Sequence, residues 1–170
     1  MDRLFLIGYR GVGKTTVARL LAQKLGWTWT DADALLEERA GQSIRDIFTA
    51  EGEAGFRDRE SALLAELGEK RNHVLATGGG VVLREGNRRL LENGAGVWLQ
   101  AAPAAIWQRL QADSSTTLRR PDLAQGGLAE IESLLALRQP WYASCAQWAV
   151  ATDRRAPAEI AEEILALVRE

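Results

Sequence analysis

The chain has 170 residues, 46% of them hydrophobic and 26% charged, with a formal net charge of −2. That length suits one domain with a sizeable core, and so slight a net charge gives no reason to expect nucleic acid as a partner. No apolar run reaches membrane-spanning length, and the single cysteine, Cys145, excludes an intramolecular disulfide and suits a reducing cytoplasm.

Met1-Asp2-Arg3 leads straight into Leu4-Phe5-Leu6-Ile7, so no signal peptide is expected. The continuous apolar run reads as a strand buried on both faces of a parallel sheet. Next comes Gly8-Tyr9-Arg10-Gly11-Val12-Gly13-Lys14-Thr15, which fits the P-loop pattern of glycine, four residues, then Gly-Lys-Thr. Its glycines let backbone N–H groups wrap phosphate oxygens, Lys14 reaches the outer phosphates, and the Thr15 hydroxyl is a magnesium ligand. Val17, Leu20, Leu21 and Leu25 then recur at helical spacing. That helix points the positive end of its dipole at the same site. Strand, loop and helix in this order predict binding of a nucleoside triphosphate, with Gly11, Val12, Gly13, Lys14, Thr15 and Thr16 as its contacts.

Gly26 is a C-cap glycine, and 27–30 reads as a second strand that delivers Asp31-Ala32-Asp33 at its carboxyl end. A helix begins near Leu35 and closes at Gly41. Ser43 caps another through Ile47 and Phe48, and a further helix covers roughly 55–67. Residues 74–77 form a third strand ending in Gly78-Gly79-Gly80; 84–92 is helical and 97–99 a fourth strand. Pro103 starts a helix through Leu110, and 112–127 is a polar stretch without periodicity. Helix at 128–137, strand at 148–150 and helix at 158–168 complete an alternating pattern, which means a parallel sheet. His73, Cys145 and the strand tryptophans, such as Trp98, read as core.

Three constellations stand out. Asp31 and Asp33 beside a P-loop can hold magnesium and accept a proton from an attacking hydroxyl, or cap a helix. Arg57 and Glu60, three apart, can pair and fix a guanidinium for a carboxylate ligand, or form a solvated charged face. The triple glycine marks close approach of a ligand or another chain.

Taken together, Gly-Tyr-Arg-Gly-Val-Gly-Lys-Thr-Thr, Asp-Ala-Asp, Gly-Phe-Arg-Asp-Arg-Glu, Ala-Thr-Gly-Gly-Gly-Val-Val, Arg-Arg-Pro and Leu-Arg-Gln-Pro-Trp-Tyr resemble the shikimate kinases nearly end to end. The resemblance implies an α/β, three-layer P-loop fold like that of the nucleoside monophosphate kinases, with five parallel strands. It also implies one kinase domain over 1–170, a helical substrate-binding region at 32–67 and a mobile lid at 112–127. The expected reaction moves the γ-phosphate of ATP, with Mg²⁺, to the 3-hydroxyl of shikimate, in a cytoplasmic monomer without nucleic-acid or membrane partners.

Carried over by motif, Lys14, Asp33 and Arg120 are the expected catalytic residues, with Thr15 and Asp31 toward the metal. Asp33, Arg57, Gly78, Gly79, Gly80 and Arg138 are expected to bind shikimate, and Arg109, Arg119, Arg120 and Arg155 to join the P-loop in binding ATP. Three departures mark this chain: Ala32 where the family often has threonine, Trp141-Tyr142 where it usually has Leu-Tyr, and Arg119-Arg120-Pro121 where it has one Arg-Pro. Spacing from Arg109 points to Arg119, whereas the Arg-Pro pairing favours Arg120, because proline restricts the residue before it.

Overall fold

The computed structural model describes residues 1–113 and 126–169. Five strands, β1 (Arg3–Ile7), β2 (Thr28–Asp31), β3 (His73–Ala76), β4 (Ala95–Gln100) and β5 (Trp148–Ala151), form one sheet in the order β2-β3-β1-β4-β5. Every pairing is parallel, as expected. β1 lies in the middle with Leu4, Leu6 and Ile7 fully buried, which explains its unbroken apolar run. Because all strands point the same way, the ends of β1, β2 and β3 open onto one edge, where the P-loop, Asp31 and the triple glycine meet.

The helices are α1 (Lys14–Leu25), α2 (Ala32–Ala40), α3 (Ile44–Gly68), α4 (Glu85–Glu92), α5 (Pro103–Ala112), α6 (Gly127–Cys145) and α7 (Pro157–Arg169). Residues 112–127 were expected to be a lid; Ala112 ends α5, Gly127 begins α6, and 114–125 lie outside the described residues.

Several boundaries differ from expectation for local reasons. β2 starts at Thr28 because the amide of Trp27 donates to Ala22 O (2.9 Å), closing α1 behind the left-handed Gly26. The two helices expected at 43–48 and 55–67 run together as α3. Gly52, with φ 71° and ψ −178°, forms the joint between them. Ser43 does cap the first, its hydroxyl accepting from Asp46 N at 3.1 Å.

β3 begins one residue early, at His73, and β4 spans six residues rather than three. α6 passes through Pro140 and ends eight residues beyond the expected 137. Proline removes one ladder bond, but the extension buries Tyr142 and Cys145. Burial of such side chains is worth more than one such bond.

His73 and Cys145 are buried. Burial lowers the His73 pKa and raises that of Cys145; both are structural. The tryptophans correct the sequence reading: none is fully buried, and Trp29 is 38% exposed on edge strand β2. Trp98 only packs against the core from its margin, because β4 turns Val97 and Leu99 inward on either side of it.

Candidate active site

The P-loop needs its glycines for two reasons. A Cβ on Gly8 would lie 2.5 Å from Leu99 O on neighbouring β4, and Gly13 has open space but a left-handed φ of 95°. Within the loop, Lys14 Nζ donates to Gly8 O at 2.6 Å and Tyr9 O at 2.8 Å, which holds the buried ammonium at the loop's mouth. Thr15 donates its hydroxyl to Asp31 Oδ2. The other oxygen of Asp31 accepts from Ala34 N at 2.9 Å and caps α2. The two readings of Asp31 therefore hold at once, one carboxylate oxygen facing the P-loop and the other ending a helix.

Beside the loop lies a cleft of about 400 Å³. Gly11, Val12, Gly13 and Thr16 form one wall, and Arg109 and Arg155 form the other. Its size is that of a small-molecule site. Arg109 also braces the wall, donating to Gly11 O (3.2 Å), Thr152 Oγ1 (3.2 Å) and Thr152 O (3.1 Å). Arg155 donates to Ala151 O and pairs with Glu163. Of the nucleotide contacts expected from sequence, Gly11, Val12, Gly13, Thr16, Arg109 and Arg155 line this one opening. Arg119 and Arg120 lie outside the described residues.

On the other side of the P-loop, the triple glycine brings the remaining residues together. A Cβ on Gly78 would lie 2.7 Å from Glu60 Oε2 and 3.0 Å from Asp33 Oδ1. One on Gly79 would lie 3.7 Å from Arg138 Nη1, and one on Gly80 only 2.5 Å from both Nη atoms of Arg57. A side chain at Gly78 or Gly80 would displace those groups, whereas at Gly79 the tight neighbour is Arg10 N, at 3.1 Å. The glycines form a floor, and Asp33, Arg57 and Arg138 stand around it.

Arg57 and Glu60 pair at 2.8 Å with side chains 8% and 4% exposed, so this is a buried pair rather than a solvated face. Glu53 adds a longer contact to Arg57 Nε at 3.5 Å. Asp33 sits in the first turn of α2, where the helix dipole favours a carboxylate. Phe48 and Phe56 stack at 4.7 Å beside the pair, walling it from water.

Two residues escaped the sequence reading of the site. Glu60 entered it only as the partner of Arg57, yet its second oxygen faces the glycine floor. Tyr142 did not enter, although its hydroxyl donates to Gly79 O. Four residues after Arg138 it shares that residue's helix face, but a helix expected to stop at 137 hid the relation.

The geometry offers a cleft beside the P-loop walled by Arg109 and Arg155, and a glycine floor with Asp33, Arg57 and Arg138 around it. A family model described as "Shikimate kinase" matches residues 10–169. The chain is 46% identical to a shikimate kinase of Rhodopirellula baltica over 96% of its own length and 89% of that protein's. It is 41% identical to that of Symbiobacterium thermophilum, with 98% and 96% covered. Its fold is similar to a shikimate kinase from Acinetobacter baumannii in complex with shikimate. There the TM-score is 0.93 at 36% identity, covering 99% of this chain and 93% of that one.

Proposed function

The chain belongs to the shikimate kinase family, and from that membership we propose how it carries out ATP-dependent phosphorylation of shikimate in aromatic biosynthesis. The observation that carries the reading is the glycine floor. Its missing Cβ atoms leave the space that Asp33, Arg57 and Arg138 surround. A small ring bearing one carboxylate and several hydroxyls fits that set, because arginine grips carboxylates bidentately and two arginines reject neutral polyols.

Arg57 and Arg138 hold the shikimate carboxylate, and Asp33 orients the 3-hydroxyl and accepts its proton. Lys14 offsets charge developing on the transferred phosphoryl group. Phosphoryl transfer asks for little beyond such positioning and charge stabilisation. The donor set also fits magnesium: a hydroxyl and a carboxylate, Thr15 and Asp31, lie side by side at the P-loop. Among the described residues there is no cluster of three or more His, Cys, Asp or Glu that would make a cage. Magnesium needs none, since it binds through one or two carboxylates, phosphates and water. Thr15 and Asp31 would hold the ion, which would supply positive charge against that developing on the phosphates.

Arg109 and Arg155 flank the base in the cleft. Arg120 is the second cation on the transferring phosphate, with Arg119 assisting ATP binding. No helix among the described residues is long and apolar enough to cross a membrane.

The direct test is ADP release with shikimate, quinate and gluconate as acceptors. Shikimate should be used by far the best; preference for gluconate would overturn the assignment. Arg138→Ala should raise the shikimate KM by roughly 30-fold or more, since removing one partner of a buried charged contact costs on the order of 2–5 kcal/mol. The ATP KM should stay put. Arg57→Ala should do the same and also lower Tm, because it leaves Glu60 buried without its guanidinium. Equal losses for both ligands with Arg138→Ala would point to misfolding.

For the arginines before Pro121, Arg120→Ala should reduce kcat by about 10²-fold. Arg119→Ala should act mildly, mainly on the ATP KM. The reverse order in kcat would show that spacing from Arg109 was the better guide.

A further inference from the structure

The loop after β3 is held from behind, carbonyl by carbonyl. Gly78 O and Gly80 O accept from Val81 N (3.2 Å) and Leu83 N (3.1 Å). Val81 O accepts from Asn87 Nδ2 at 3.0 Å, and Val82 O and Leu83 O both accept from Arg88, at 2.7 and 3.2 Å. Gly79 O accepts from the hydroxyl of Tyr142 on α6, 63 positions away.

Arg138 lies one turn earlier on the same face of α6, its Nη1 3.7 Å from where a Cβ on Gly79 would sit. The Tyr142 ring is fully buried and packs on Trp98 at 5.8 Å. Burial pushes the hydroxyl pKa up to about 12, so it remains a donor throughout the working range.

We propose that Tyr142 is a positioning residue for the acceptor: its hydroxyl fixes the Gly79 carbonyl, and with it the glycine floor beside Arg138. The proposal rests on the reading of Arg138 and the glycines as the shikimate site. It assigns to a buried core tyrosine a share in substrate affinity that its packing alone would not give.

Tyr142→Phe keeps the ring and removes only the hydroxyl, and Tyr142→Leu removes both. In the purified full-length chain, Tyr142→Phe should raise the shikimate KM about 3- to 10-fold, the range of one net hydrogen bond. The ATP KM should not change, and kcat should stay within about twofold. Tyr142→Leu should lower Tm sharply, and Tyr142→Phe only slightly.

An unchanged shikimate KM in Tyr142→Phe or an equal rise in the ATP KM would each overturn the proposal. Wild-type protein that fails to phosphorylate shikimate would overturn the functional reading as well. Wild-type turnover with a silent Tyr142→Phe removes only this inference.

Discussion

Lys14→Met should lower kcat by about 10³-fold or more while the chain still folds, because methionine keeps the stem and loses the charge. Removing one preorganised donor from a developing negative charge already costs about 10²–10³ in rate, and here the donor carries a full charge. The replacement also leaves Gly8 O and Tyr9 O without the ammonium they now share. An unsatisfied buried acceptor costs roughly 1–3 kcal/mol, a loss that a domain of this size survives. Thermal melting and single-turnover phosphate transfer, measured together, separate the two effects. Near-wild-type transfer would show that the P-loop had been misread.

Asp33→Asn should preserve shape and remove the proton acceptor, with kcat falling about 10²–10⁴-fold. Its side chain lies on the glycine floor near Glu60, since both oxygens would meet the same Cβ on Gly78. Asp31→Asn should behave differently. Asp31 faces Thr15 and caps α2 rather than touching the floor, so its loss should appear as a higher magnesium requirement and a modest fall in Tm. Profiles of kcat against magnesium for the two variants test the division; superimposable curves would refute it.

How much of this was legible in sequence depends on how local each signal is. The P-loop, the Asp31–Asp33 pair and the Arg57–Glu60 pair are contained within eight residues or fewer, and their spacing alone sets their geometry. The five-stranded parallel sheet follows from alternation of elements. What sequence could not show depended on contacts between distant segments. Tyr142 meets Gly79 across 63 positions, and the helix expected to end at 137 runs on through Pro140, burying Tyr142 and Cys145. The tryptophans misled because large apolar residues were assigned to the core by type. Trp98 packs against the core only in part.

The three glycines at the end of β3 also set terms for any compound designed against this site. A ligand that binds chiefly to their backbone meets no side chain that mutation could exchange. The smallest change available is a methyl group, and at Gly80 it would lie 2.5 Å from both terminal nitrogens of Arg57. Escape from such a compound by substitution at these positions would therefore damage the grip on the natural acceptor first.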